Sequence, residues 1–442
     1  MHEVRPAKIT SPIVSLKDNY VRLIPLSLIV AAAGIGSALL LSLDMQRFSF
    51  AYLTCFCSLM SLCLGGLFFV IVMHLTRAGW SVTVRRIAEI IAMCTLPMFI
   101  LYLPILIPLM AGSDQVYVWN QPGWSIEGDA AHKQAVLDAS QYPPPIEELK
   151  SYYLNRWFFA GRMVTYFAIW GALAWFFLSN SLKQDKTGDK NLTAKMQKHS
   201  TWMMIVFAAT LVFSSIDFEM SLAPFWFSTM WPVYFFSGSV LSALAAITLI
   251  CLWLQRTGRV TDEITVEHYH DLGKLMFSFV VFWGYIAFSQ FMLIWYANIP
   301  EETFWFAWRI NPAPGAPDGV MTGWQWFSLL LLFGHLLIPL LALMARTVRR
   351  SKNFLVYAAI YLLVMHWVDH YWIVMPQYSE IISEHVGPAA GLALHFNPLV
   401  DIPCAIGMVG VFVALFCLIA RDRPLVPLKD PRLGEALAHH NP

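Results

Sequence analysis

The sequence predicts an all-α integral membrane protein of ten transmembrane helices. Three observations carry that reading. Of 442 residues, 58% are hydrophobic and only 13% are charged, about half the charged share of an ordinary soluble domain. Ten separate apolar runs approach the ~20 residues that a bilayer-spanning helix needs. Positive charge also divides sharply between alternate connections. If the N-terminus is cytoplasmic, 23 of the 29 Lys and Arg fall in inside segments and five in outside segments, as the positive-inside rule requires. A missed or extra helix would scramble that division, so both termini are expected to be cytoplasmic.

The spans are read in order. The first, 21–42, is uncharged after Arg22 and follows a polar stretch with no cleavable signal pattern. The second, 49–73, is followed by the basic segment His74–Arg86, which is amphipathic and is expected to lie along the inner surface. The third, 87–111, holds Pro97, Pro104 and Pro108, and the fourth, 157–180, holds Arg162. The fifth, 201–217, is the shortest and ends at Asp217. The sixth to ninth are 229–254, 272–297, 323–345 and 353–375, and the tenth, 398–420, opens on Pro398 and Asp401, an acid expected to be interfacial. Residues 1–442 thus read as a single polytopic membrane domain.

Outside the membrane the sizeable segment is 112–156, between spans three and four. It has a helix-like patch at Ala130–Ser140 and three consecutive prolines, the marks of a lid or docking loop. Two further outer loops are 298–322 and 376–397. Aromatic residues gather at outer helix ends: Trp157, Trp226, Trp231, Trp295, Tyr296, Trp305, Trp308, Trp324, Trp326 and Trp372. An interfacial aromatic belt accounts for most of them. Seven cysteines lie within or at the edges of spans with no C-x-x-C, which points to small packing residues rather than a disulfide or iron–sulfur framework.

Polar groups inside spans are costly and mark candidate routes for protons or ions. On span seven, Asp271, Lys274, Ser278, Tyr285, Ser289 and Tyr296 recur three, four or seven residues apart. On a 3.6-residue helix they share a face, and Gln290 adjoins it. That face is expected to line a protein interior. The competing reading is that Lys274 snorkels to the interface and the hydroxyls bond their own backbone. On span nine, His366, Asp369 and His370 stand at i, i+3 and i+4, and span eight supplies His335 near its middle. An imidazole beside a carboxylate is a good proton carrier near neutrality. Haem held by His335 and His366, or plain interhelical hydrogen bonding, are the rival readings. Asp217 and Glu219 close span five, where they release protons outward, contact a partner or are solvated loop acids.

The exclusions are equally useful. There is no P-loop, no G-x-S-x-G, no H-E-x-x-H and no C-x-x-C-H, so ATP-driven transport, serine hydrolysis, zinc proteolysis and covalent haem are not indicated. The net charge of +1 and the lack of a basic arm give no sign of nucleic acid.

The stretch D-L-G-K-L-M-F-S-F-V-V-F-W-G-Y-I-A-F-S-Q-F-M-L-I-W-Y-A-N-I-P-E-E-T from Asp271 resembles the NrfD/PsrC-like membrane subunits of bacterial alternative complex III, the ActF type among them. Residues 74–86, 153–162, 217–229 and 366–372 add to the likeness, which runs over spans two to nine. The resemblance implies two four-helix bundles, spans 2–5 and 6–9, plus two peripheral helices. It implies a bacterial cytoplasmic membrane and a role in a respiratory quinol:electron-acceptor oxidoreductase. Expected partners are a paralogous subunit of the same type, an iron–sulfur subunit and c-type haem subunits, within membrane lipid; a terminal oxidase is a further candidate. Haem c and iron–sulfur clusters would sit on those partners, with no redox cofactor on this chain and quinone left open as a ligand.

Four functions follow. The leading one is a cofactor-free subunit that conducts or couples protons through Asp271, Lys274, Ser278, Tyr285, Ser289, Gln290, His335, His366, Asp369, His370 and Asp217, and is not catalytic alone. The second is direct quinone binding, with His370 or Asp217 as general base. The third is a scaffold that docks the haem and iron–sulfur subunits. The fourth, a secondary transporter, would need broken helices at mid-membrane, and apart from the span-three prolines and Pro339 breaks are few.

Overall fold

A computed structural model describes residues 16, 22–42, 44–120, 152–310, 323–386 and 396–441. Those residues are almost entirely helical and contain no strand. Ten helices are long and apolar enough to cross a membrane, the architecture of a multi-pass membrane protein. They are α1 (Leu23–Ser42), α2 (Met45–Leu75), α3 (Gly79–Met110), α4 (Arg156–Thr187), α5 (Asn191–Leu222), α6 (Trp231–Arg256), α7 (Val266–Ala297), α8 (Gly323–Met344), α9 (Lys352–Ser379) and α10 (Pro398–Ala420). Each overlaps one sequence-predicted span. The largest change is at α5, which runs 32 residues instead of 17. Its first turns carry Lys195, Lys198 and His199, so hydropathy hides a stretch that is helical all the same. The patch at Ala130–Ser140 lies outside the described residues.

Connections alternate between two ends. The α2–α3, α4–α5, α6–α7 and α8–α9 links share one end with residues 421–441; this is the basic end. The opposite end carries the longer connections and is called the loop end.

α2 and α6 are the most buried spans and face each other at the centre. Their approach is set by Gly65, where a Cβ would stand 1.9 Å from the Ser239 carbonyl oxygen. α2 also packs on α3, α5, α9 and α10, while α6 packs on α7 and α9. α1 is the least buried span and pairs with α10, where Gly34 meets Pro403 and Gly407 backbone atoms and Gly410 meets the Ser27 carbonyl. Small residues let membrane helices approach closely where hydrophobic burial gives no drive.

Two irregularities have sequence causes. α3 breaks at Cys94 between Val82–Met93 and Thr95–Met110; Pro97, three residues on, has no N–H to return and would crowd the Met93 carbonyl. α8 widens to a π-turn over Leu331–Leu337. Pro339 would clash with the His335 carbonyl in an α-register, and the wider turn absorbs that conflict.

Three expectations need correction. The segment 74–86 is not a surface helix: it is the end of α2, the turn at 76–78 and the start of α3, with Arg85 and Arg86 buried. Their charges are met inside the protein, by Asp430, Glu89 and Asp185. Asp401 is not interfacial: it is buried and accepts two bonds from Arg47 Nη2 at 2.6 Å. The aromatic belt is only half a belt. Trp157, Trp295, Tyr296 and Trp326 are exposed, but Trp226, Trp231, Trp305, Trp324 and Trp372 are buried. Trp226 stacks on Trp305 at 4.5 Å, and Arg309 lies 3.4 Å over the Trp305 ring.

Candidate functional site

The most concentrated buried polar cluster without an arginine or lysine lies where α2, α6 and α9 meet the loop end of α5. His366, Asp369 and His370 are on one face of α9, as their spacing requires, and are 2–3% exposed. His370 bonds through Nδ1 to Glu219 Oε1 and through Nε2 to Ser61 Oγ at 3.2 Å. Ser61 Oγ also lies 2.8 Å from His366 Nε2 and 2.9 Å from the Ser58 carbonyl. Glu219, His370, Ser61 and His366 thus form one hydrogen-bonded series. The two imidazoles meet edge to face at 4.6 Å.

Asp369 points the other way. It accepts bonds from the Tyr234 hydroxyl of α6 and from Trp283 Nε1 of α7, the latter at 3.1 Å. His335, on the π-turn of α8, packs on the Trp283 ring at 4.1 Å. Its two ring nitrogens, His366 Nδ1 and Glu219 Oε2 have no hydrogen-bond partner among the described residues. A hydrogen bond between membrane helices contributes about 0.6–2 kcal/mol. A group left unpaired costs more than that, so unmatched atoms are unexpected in a purely structural cluster.

An apolar cavity of about 630 Å³ reaches this cluster from between α1, α2, α6, α9 and α10, with His366 in its wall. Gly238 leaves room for that imidazole: a Cβ there would stand 3.4 Å from His366 Nδ1.

Asp217 does not join the cluster. It is fully buried and held by Arg162, Nε to Oδ2 and Nη2 to Oδ1 both at 2.8 Å, with the Tyr166 hydroxyl at 2.8 Å. Arg162 is further covered by Tyr153 at 3.8 Å. Beside this pair Tyr117 donates to the Phe218 carbonyl at 3.2 Å, and burial pushes its hydroxyl well above the ordinary tyrosine pKa.

The span-seven stripe is corrected most. Ser278 is exposed, Tyr285 is 63% and Tyr296 84% exposed, and Ser289 is half-buried. The inward face of α7 is instead Met276, Val280, Trp283, Ile286, Gln290 and Ile294. The periodicity identified a shared face correctly, but that face turns away from this chain's own interior. Ser278 bonds the Lys274 carbonyl at 2.9 Å within its helix. Asp271 and Lys274 pair at 2.6 Å at the basic end of α7, the i,i+3 contact their spacing predicts. Gln290 is buried and accepts from Ser228 at 3.2 Å. Lys274 therefore belongs to a different region from His366 and Asp369.

A second polar network lies at the basic end. Glu89 is fully buried between Arg85, at 3.5 Å, and Arg86, at 3.0 Å. Arg86 continues to Ser181 at 2.9 Å and Asp185 at 2.7 Å, and His74 stacks on Phe177 at 5.2 Å. Ser61 and His74 are thirteen residues apart on α2, about 20 Å of helix. The buried side chains of α2 between them include Leu64, Leu67, Val70 and Ile71. The two networks are not joined by side-chain hydrogen bonds among the described residues.

Sequence reasoning found the α9 triad and His335. It did not single out Ser61, Tyr234 or Trp283, which are ordinary in local context. Glu219 is singled out with Asp217, but nothing in the sequence assigns it a partner on α9. Among the described residues, no group of three or more His, Cys, Asp or Glu is arranged to hold a metal ion. The seven cysteines are buried and unpaired. No family model matches the chain, and no curated protein matches it.

Proposed function

We propose that this chain is a membrane subunit of a respiratory quinol-oxidising assembly, in a bacterial cytoplasmic membrane, and that it moves protons along Glu219, His370, Ser61 and His366. The single observation that carries the proton reading is this unbroken series of buried groups, each able to give and take a proton. The assembly and its haem and iron–sulfur partners rest on the sequence resemblance alone. The charge division supports both termini on the cytoplasmic side, with the loop end outward.

The steps follow from the atoms. Glu219 protonates His370 at Nδ1, and His370 releases a proton from Nε2 to Ser61 Oγ. Ser61 Oγ takes that proton only as it gives up its own, turning its O–H from the Ser58 carbonyl to His366 Nε2, so it stays a neutral hydroxyl. His370 accepts on one nitrogen and releases from the other, and His366 is where the series ends among the described residues. The relay spans the outer part of the membrane only; apolar α2 separates it from the basic-end network.

The test is proton release per quinol oxidised, in the purified assembly reconstituted in vesicles. Glu219→Gln and His370→Phe should slow release about a hundred-fold, the scale of a lost positioned proton-transfer group. Lys274→Met should leave it unchanged. Wild-type release in both relay variants ends this reading.

A further inference from the structure

Residues 424–441 run across the basic end as a strap. Its first half is anchored. Arg86 donates to the Pro424 carbonyl at 3.3 Å, Asp185 receives the Leu428 N–H at 2.7 Å, and buried Asp430 pairs with Arg85. Arg432 reaches the carbonyl of Arg77, which holds a left-handed backbone at φ 52.

The second half ends on α7. His439 Nε2 stands 2.5 Å from Asp271 Oδ2, and Asn441 Oδ1 accepts from Lys274 Nζ at 3.0 Å. Asn441 also donates to the Glu267 carbonyl at 3.3 Å. Unlike Asp430, the outer groups are wet: His440 is largely exposed and Lys274 half-exposed.

We propose that residues 433–441 are a proton-sensitive latch over the basic end of α7, closed by the His439–Asp271 pair. With its ring protonated, His439 adds an ion pair to the hydrogen bond it makes with the Asp271 carboxylate. A protonated ring therefore holds the latch more firmly than a neutral one. The other charges facing His439 are few. On α7 these are Lys274, which shares Asp271, and Glu267, which is engaged by Arg350 at 2.9 Å and approached by His440 at 3.8 Å. The His268 ring is 5.6 Å away, and the ring of Trp80, in the first turn of α3, is 6.3 Å away. Within the strap, Glu435 is taken by Arg432. Opening would give water access to Glu267, His268 and Asp271, now buried. This latch does not depend on the relay, and its test reads chain motion rather than proton release.

Amide hydrogen exchange of the purified full chain, corrected for intrinsic rates, is the test. Between about pH 5 and pH 8, exchange in 433–441 should quicken about ten-fold, roughly what a lost charge-assisted bond implies. His439→Ala should be fast at both ends of that range and His439→Arg slow at both. Residues 424–432 should stay protected in every variant. A pH-independent wild type, a His439→Ala variant as protected as wild type, or loss of the anchored half along with the latch would each overturn the proposal.

Discussion

Asp217 and Glu219 stand two residues apart at the loop end of α5, yet they do opposite things. Asp217 turns to α4 and is clamped by one edge of the Arg162 guanidinium, through Nε and Nη2. Glu219 turns to α9 and meets an imidazole. A guanidinium does not release its proton, so the first pair can hold two helices together but cannot pass a proton onward. An imidazole and a serine hydroxyl can do both. The basic-end network follows the Asp217 pattern, with Glu89 and Asp185 against Arg85 and Arg86. Asp217 and Glu219 thus stand for two kinds of buried acid, arginine-held and imidazole-held, and of these only the second offers a route.

The largest expected effect separates the two kinds by stability. Arg162→Met strands a buried carboxylate and should cost about 3–5 kcal/mol, read as a lower unfolding temperature in detergent. Glu219→Gln keeps a hydrogen-bonding side chain and should cost less, about 1–3 kcal/mol. Equal losses would erase the distinction. The smallest effect belongs to the outward α7 face: Tyr285→Phe and Tyr296→Phe should each stay within about 0.5 kcal/mol in the isolated chain. A larger loss there would mean that the face is buried against this chain after all.

The fold was legible because a bilayer permits few solutions. A spanning helix must be about 20 apolar residues long, and its flanking charges must sort. The length differs most at α5, since its helix extends beyond its apolar run. The site was half legible. His366, Asp369 and His370 share a face by spacing alone. The α7 stripe has equally good spacing, but periodicity cannot say which face turns inward. Trp283 and Gln290 lie on the buried side while Tyr285 and Tyr296 do not. Ser61 and Tyr234 lie 309 and 135 residues from their cluster partners, and nothing local distinguishes a serine that bridges two histidines from one that caps its own helix. For Glu219 the residue is legible and its partner is not, although an acid two residues beyond Asp217 points to a different neighbour at helical spacing.

The central claim is that a proton on Glu219 is shared with His370. Infrared difference spectroscopy of the purified chain, taken across a pH step in H2O and D2O, reads this directly. A deuterium-sensitive carboxyl band should appear in the wild type, vanish in Glu219→Gln and shift in His370→Gln. A band that is the same in all three proteins would contradict the account.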